Sequence, residues 1–122
     1  MIKRILVVDD ENNIGLTIQQ YLEDAGYETV SFQDPVAALN FCEQNIYSVD
    51  LAIVDHGMPG MDGLELAEAL RGLKPDLPIV LTTDMPGDDG PFPNTTMTLS
   101  KDVPKDKLLS SIQSLLGSKR TH

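Results

Sequence analysis

Short apolar runs alternate with stretches of helical periodicity along this chain, and that alternation constrains its fold more than any other feature. Ile2–Val8 is apolar and β-branched apart from Lys3-Arg4. A run without polar alternation reads as a strand buried on both faces. From Asn12 to Ala25, Ile14, Ile18, Tyr21, Leu22 and Ala25 recur at helical spacing, and Gly26 fits the position just past the helix end. Tyr27–Phe32 reads as a second strand. Asp34-Pro35 then opens a helix, with a capping oxygen followed by proline at the first helical position, and Val36, Ala38, Leu39 and Cys42 supply its apolar face. Leu51–Val54 is a third strand ending in Asp55, and Leu64–Leu73 a third helix with Leu64, Ala67 and Leu70 on one stripe. Ile79–Thr82 and the weaker Met97–Ser100 are further strands. A last helix runs from Pro104 to Gly117 through Leu108, Ile112, Leu115 and Leu116. The order is βαβαβαβ, a gap, then βα. It implies an α/β fold whose parallel sheet is covered on both faces through right-handed crossovers.

A length of 122 residues with 41% apolar content suits one domain with one core. No apolar run is long enough to span a bilayer. The start, MIKRILVVDD, lacks the long apolar region and cleavage site of a secretory signal, so a cytoplasmic protein is expected. The lone cysteine, Cys42, lies among Ala38, Leu39 and Phe41 and reads as a small core residue. A net charge of −10 repels phosphate backbones and argues against direct nucleic-acid binding. The polar end 118–122 is expected to be a frayed tail.

The gap, Asp84–Thr96, reads DMPGDDGPFPNTT. Pro86, Gly87, Gly90, Pro91 and Pro93 forbid an ordinary helix through it, so a loop is expected, with at most a helical turn near Asp88. Such a loop is either a plain surface excursion or a partner-recognition element.

In open parallel sheets, ligands sit outside the carboxyl ends of the strands. Strand one ends in Asp9 and Asp10, strand three in Asp55, strand four in Thr82 and Thr83. These ends converge if strand one is central and beside strand three. Three carboxylates there repel one another, and a hard divalent cation such as Mg²⁺ relieves this by taking oxygen ligands.

VVDDE near the N-terminus, VDHGMPGMDG, PIVLTT, and LSK before the final helix stand in the order and spacing of a known pattern. Together they resemble the receiver domain of two-component response regulators, over nearly the whole chain. The resemblance implies a flavodoxin-like three-layer sandwich with a five-stranded parallel sheet in the order 2-1-3-4-5, and a receiver domain spanning residues 1–117. It also implies roles. Asp55 is the phosphoacceptor. Asp10 binds Mg²⁺ directly and Asp9 chiefly through water, with the backbone carbonyl of Gly57 as a further ligand. Thr83 bonds the phosphoryl group and switches position, with Thr82 as its rival, and Lys101 pairs with a phosphoryl oxygen. Phosphoryl transfer needs such cations to neutralise the equatorial oxygens around an in-line nucleophile. In the turn after Asp55, Gly57 and Gly60 are expected to let the backbone approach a ligand, Met58 to pack underneath, Asp62 to cap the next helix and Gly63 to permit the bend. His56 is expected at the rim of the site.

Three departures from the family pattern affect the output side more than the chemistry. Asp102 follows Lys101 where a proline, commonly cis, is usual. A non-proline cis bond costs about 3 kcal/mol, so a trans bond is expected and the aim of Lys101 becomes a question. The fourth helix is replaced by the Asp84–Thr96 segment. Thr98 stands where a switching aromatic is usual, and Asp84 replaces the small residue after the threonine.

The leading reading is a stand-alone phosphoacceptor receiver, served by a sensor histidine kinase or histidine phosphotransfer protein and acting on a further protein partner. It would catalyse its own phosphorylation and dephosphorylation without being a conventional enzyme. The alternative is a constitutive interaction module that kept the pocket but does not switch. An aspartate-dependent phosphohydrolase is disfavoured, because Gly57 stands where such enzymes place a second aspartate.

Overall fold

The computed structural model describes residues 2–84 and 91–117. Its elements run β1 (Arg4–Val8), α1 (Asn12–Asp24), β2 (Glu28–Phe32), α2 (Pro35–Asn45), a 3-10 turn (Ile46–Ser48), β3 (Leu51–Asp55), α3 (Gly63–Leu73), β4 (Ile79–Thr83), β5 (Met97–Ser100) and α4 (Lys105–Gly117). The strands form one sheet in the order β2-β1-β3-β4-β5, with every neighbouring pair parallel. This is the flavodoxin-like order expected of the chain.

Successive side chains of a strand point to opposite faces, so each central strand feeds two cores. Leu6, Val8, Ala52, Val54 and Ile79 pack with Ala38 and Cys42 of α2 and Leu66, Ala67 and Leu70 of α3. Ile5, Val7, Leu51, Ile53 and Val80 pack on the other face with Ile18 and Leu22 of α1 and Leu108, Ile112 and Leu116 of α4. That double burial is why the central strands read as unbroken apolar runs.

The helix starts follow the sequence closely. Asp34 accepts from Val36 N at 3.1 Å ahead of Pro35. Asp62 accepts from Glu65 N at 2.9 Å while Glu65 accepts from Asp62 N at 2.9 Å, a reciprocal capping box that fixes the entry to α3. Other details differ. Val36 does not line the core but is 49% exposed, while Ala38, Leu39, Phe41 and Cys42 of α2 pack toward the sheet. Leu66, outside the expected stripe of α3, is wholly buried, and Ala25 lies exposed beyond α1. Cys42 is a core thiol, pushed by burial up to about 11 and so unreactive at neutral pH.

Between β4 and β5, residues 91–96 form turns and no helix. Asn94 adopts a left-handed φ of 62° and Thr95 Oγ1 donates to Phe92 O at 2.8 Å. Arg71 of α3 pins the end of this segment, donating to Leu77 O at 2.8 Å and to Thr96 Oγ1 at 2.9 Å. The helical turn considered near Asp88, and the tail 118–122, lie outside the described residues.

The turn after β3 needs glycine at particular places. Gly60 has a φ of 82°. At Gly63 an added Cβ would lie 2.2 Å from Asp55 O and 2.9 Å from His56 Cα, backbone that cannot yield cheaply. At Gly57 a Cβ meets no protein atom within 4 Å. Gly63→Ala is therefore expected to destabilise the domain by about 2–3 kcal/mol, although a helical Gly→Ala change ordinarily helps. Gly57→Ala is expected to change stability by less than about 0.5 kcal/mol. Urea unfolding midpoints of the two variants check this; equal midpoints would show that the backbone at Gly63 relaxes.

Candidate functional site

Strand register builds the site. Val8 pairs with Val54, so Asp9 and Asp10 leave β1 beside the end of β3. Asp55 pairs with Thr82, and Thr83 with Ser100, which places Lys101 at the same edge. Lys101 N donates to Thr83 O at 2.9 Å, and His56 N to Thr82 O at 2.8 Å, so the ladder continues into the loops that carry the polar groups.

Asp55 is fully buried and Asp9 is 3% exposed. Asp55 Oδ1 lies 2.9 Å from Lys101 Nζ and accepts from Gly57 N at 3.2 Å. Asp9 Oδ1 accepts from Glu11 N at 2.8 Å. The remaining oxygens, Asp9 Oδ2 and Asp55 Oδ2, are buried and meet no donor. Burial, reinforced by the Asp10 and Asp9 carboxylates, pushes the Asp55 carboxyl from 3.8 up to about 7 against the pull of Lys101. Burial raises Asp9 as well, offset by the Glu11 N–H and Lys101. For Lys101, burial works against the ammonium, but the bonds to Glu11 and Asp55 outweigh it and the net shift is upward. Its charge is therefore secure at neutral pH.

One oxygen each from Asp9, Asp10, Glu11 and Asp55 lie within 4.8 Å of one another. Two orphaned carboxylate oxygens in an all-oxygen cluster of this size fit a hard divalent cation and leave a soft metal without the nitrogen or sulfur donors it prefers. Asp9, Asp10, Asp55 and Lys101 are thus brought together, with Gly57 joined through its N–H and Thr83 buried one residue beyond the Thr82 rung. Thr82 Oγ1 is turned to Val54 O at 3.5 Å, which engages it with the neighbouring strand. Glu11 was not singled out from the sequence. It sits 2.6 Å from Lys101 Nζ, and the signal for it was the third carboxylate in the run Asp9-Asp10-Glu11. His56 is at the rim, its ring 5.1 Å from that of Phe92.

The family model for the response regulator receiver domain matches residues 5–113. The chain belongs to the response regulator receiver family. This receiver is 31% identical over 118 residues to the response regulator receiver protein CpdR of Brucella abortus, taking in 93% of this chain and 97% of that one. It is 42% identical over 83 residues to the cyclic di-GMP phosphodiesterase response regulator RpfG of Xanthomonas campestris, covering 65% of this chain but only 21% of that longer protein. Among solved structures it is similar to the response regulator TrrA of Thermotoga maritima in complex with Mg²⁺ and beryllofluoride. The two share 34% identity and a TM-score of 0.81, over 94% of this chain and all of that one. Among the described residues, no helix is long and apolar enough to cross a membrane.

The raised Asp55 pKa has a consequence for the metal-free receiver. Between pH 4 and 7 the folded state holds a proton on Asp55 that the unfolded chain has lost. This contribution to stability is therefore fully present below about 4 and is lost as pH rises through about 7. Asp55→Asn stays uncharged at every pH and so removes this loss. With a chelator present, the variant is expected to melt higher than wild type at pH 8, by on the order of 5 °C. The gap should shrink as pH falls to 5. A gap independent of pH would show that Asp55 does not titrate in that range.

Proposed function

We propose that this receiver accepts a phosphoryl group on Asp55 from the phosphohistidine of a sensor kinase or a histidine phosphotransfer protein, in the presence of Mg²⁺. It would then signal by changing its affinity for a protein partner. The observation that carries the reading is the buried Asp55 carboxylate, held by Lys101 at 2.9 Å through one oxygen and without a donor at the other. A carboxylate so placed is a rigid nucleophile with a cation already at hand.

In the transfer, a carboxylate oxygen of Asp55 attacks phosphorus. The new O–P bond forms as the P–N bond to the donor imidazole breaks, and the imidazole leaves with the electron pair and takes up a proton. Lys101 faces the oxygens on which charge accumulates, and Thr83 ends β4 where a hydroxyl can bond the phosphoryl group. Asp9, Asp10, Asp55 and the Gly57 carbonyl would hold Mg²⁺, whose charge offsets that of the carboxylates and the incoming phosphoryl oxygens. The likeness to a receiver solved with Mg²⁺ and beryllofluoride supports this reading. The same proposal takes residues 1–117 as the receiver and 118–122 as its tail. It places the protein in the cytoplasm, where such donors are found, and a net charge of −10 argues for protein partners over nucleic acid.

The test is intact mass after incubation with Mg²⁺ and acetyl phosphate. One added phosphoryl group is expected, absent in Asp55→Ala and without Mg²⁺, with Lys101→Ala slowed about 10²-fold. Mg²⁺ affinity, by titration calorimetry, should rise with pH through about 7, as Asp55 loses its proton. No adduct together with no binding of beryllofluoride would overturn the proposal in favour of a constitutive interaction module.

A further inference from the structure

Lys101 reaches Asp55 although no proline follows it, and the residues on either side of it show how. Ser100 Oγ donates to a carboxylate oxygen of Asp102, and Asp102 N donates back to Ser100 Oγ at 3.4 Å. Val103 N donates to Ser100 O at 3.1 Å and closes the turn, while the Val103 side chain is buried against the α1/α4 face. On the strand side, Lys101 N is fixed to Thr83 O. The backbone of Lys101 is thus bracketed by a side-chain pair that spans it.

We infer that Ser100 and Asp102 are positioning residues for Lys101, their hydroxyl–carboxylate pair holding the turn that a proline ring would otherwise stiffen. Lysine has a flexible four-carbon stem, so a fixed point of departure decides how often its ammonium meets a given oxygen. The ion pairs at the head cannot supply this alone. Glu11 is 54% exposed, and a solvent-screened partner restrains a lysine weakly. Asp55 is the group on which Lys101 must act, and its charge pattern changes on phosphorylation. A carboxylate oxygen of Asp102 is engaged by the Ser100 hydroxyl. This inference rests on the reading of Lys101 as the cation of phosphoryl transfer, but its geometry stands without that reading.

Two measurements test it. In the first, Ser100→Ala and Asp102→Ala are expected to slow phosphorylation by acetyl phosphate about three- to tenfold. Asp102→Asn, which keeps an acceptor for Ser100, should stay within about twofold of wild type, and Mg²⁺ affinity should be unchanged in all three. In the second, urea midpoints in chelator are compared for Asp102→Ala, Lys101→Ala and the double variant. Non-additive shifts are expected for this pair and additive ones when Asp102→Asn replaces Asp102→Ala. Wild-type rates with additive midpoints would overturn the inference. So would equal acceleration in Asp102→Asn and Asp102→Ala, which would make Asp102 a charge and not a support. If wild type accepts no phosphoryl group, the functional reading fails and the midpoints still decide the positioning.

Discussion

A carboxylate with no exposed surface, set beside three others, is costly to bury, and much of this receiver is arranged around that cost. Charges move into a protein interior only when paired or coordinated. Asp55 has one cation, Lys101, and one backbone N–H, and its second oxygen meets no donor. The rise of its pKa to about 7 is the direct consequence: short of a further cation, the proton is the cheapest way to remove the charge. Such a pKa in a structural carboxylate would be a defect. In a group proposed to bind a cation and attack phosphorus it is a poised state.

The sheet makes that poise possible. Asp55 ends a strand flanked on both sides, by β1 and by β4, and its neighbours Val54 and Ile53 lie in opposite cores. Moving the carboxylate out to water would break its bonds to Lys101 and Gly57 N. Gly63 then brings the start of α3 against the Asp55 carbonyl, so the turn closes directly over the strand end. Rigidity on one side and a short closed turn on the other leave Asp55 little freedom except to exchange partners at its oxygens.

How much of this was legible in the sequence follows from the kind of force involved. The alternation of strands and helices rests on periodicity, which a sequence displays, while the strand order and the meeting of Asp9, Asp10, Asp55 and Lys101 were implied by the likeness to receivers; the split of the interior into two cores was not expected. Close approach is not displayed by a sequence. Gly57 and Gly63 look alike in the turn, yet only at Gly63 does backbone from Asp55 and His56 fill the space of a Cβ. Leu66 and Val36 exchanged expected places because one helix stripe is broader than a few apolar positions can define. Glu11 passed unremarked since its link to Lys101 joins residues far apart in the chain. Nor does a sequence display the bond between Ser100 and Asp102 on either side of Lys101.

The segment before β5 shows the same limit and what lies behind it. Over its described part, 91–96, the chain forms turns and no helix, and the contacts made there are not displayed by its prolines. Phe92 lies against His56, the residue directly after Asp55, and Arg71 ties Thr96 to α3. The connection is thus fastened at one end to the helix that follows Asp55 and touches the turn between them. Thr98, where a switching aromatic is usual, has no ring to move. The His56 backbone also donates to Thr82 O, so the residue after Asp55 touches both Phe92 and the end of β4.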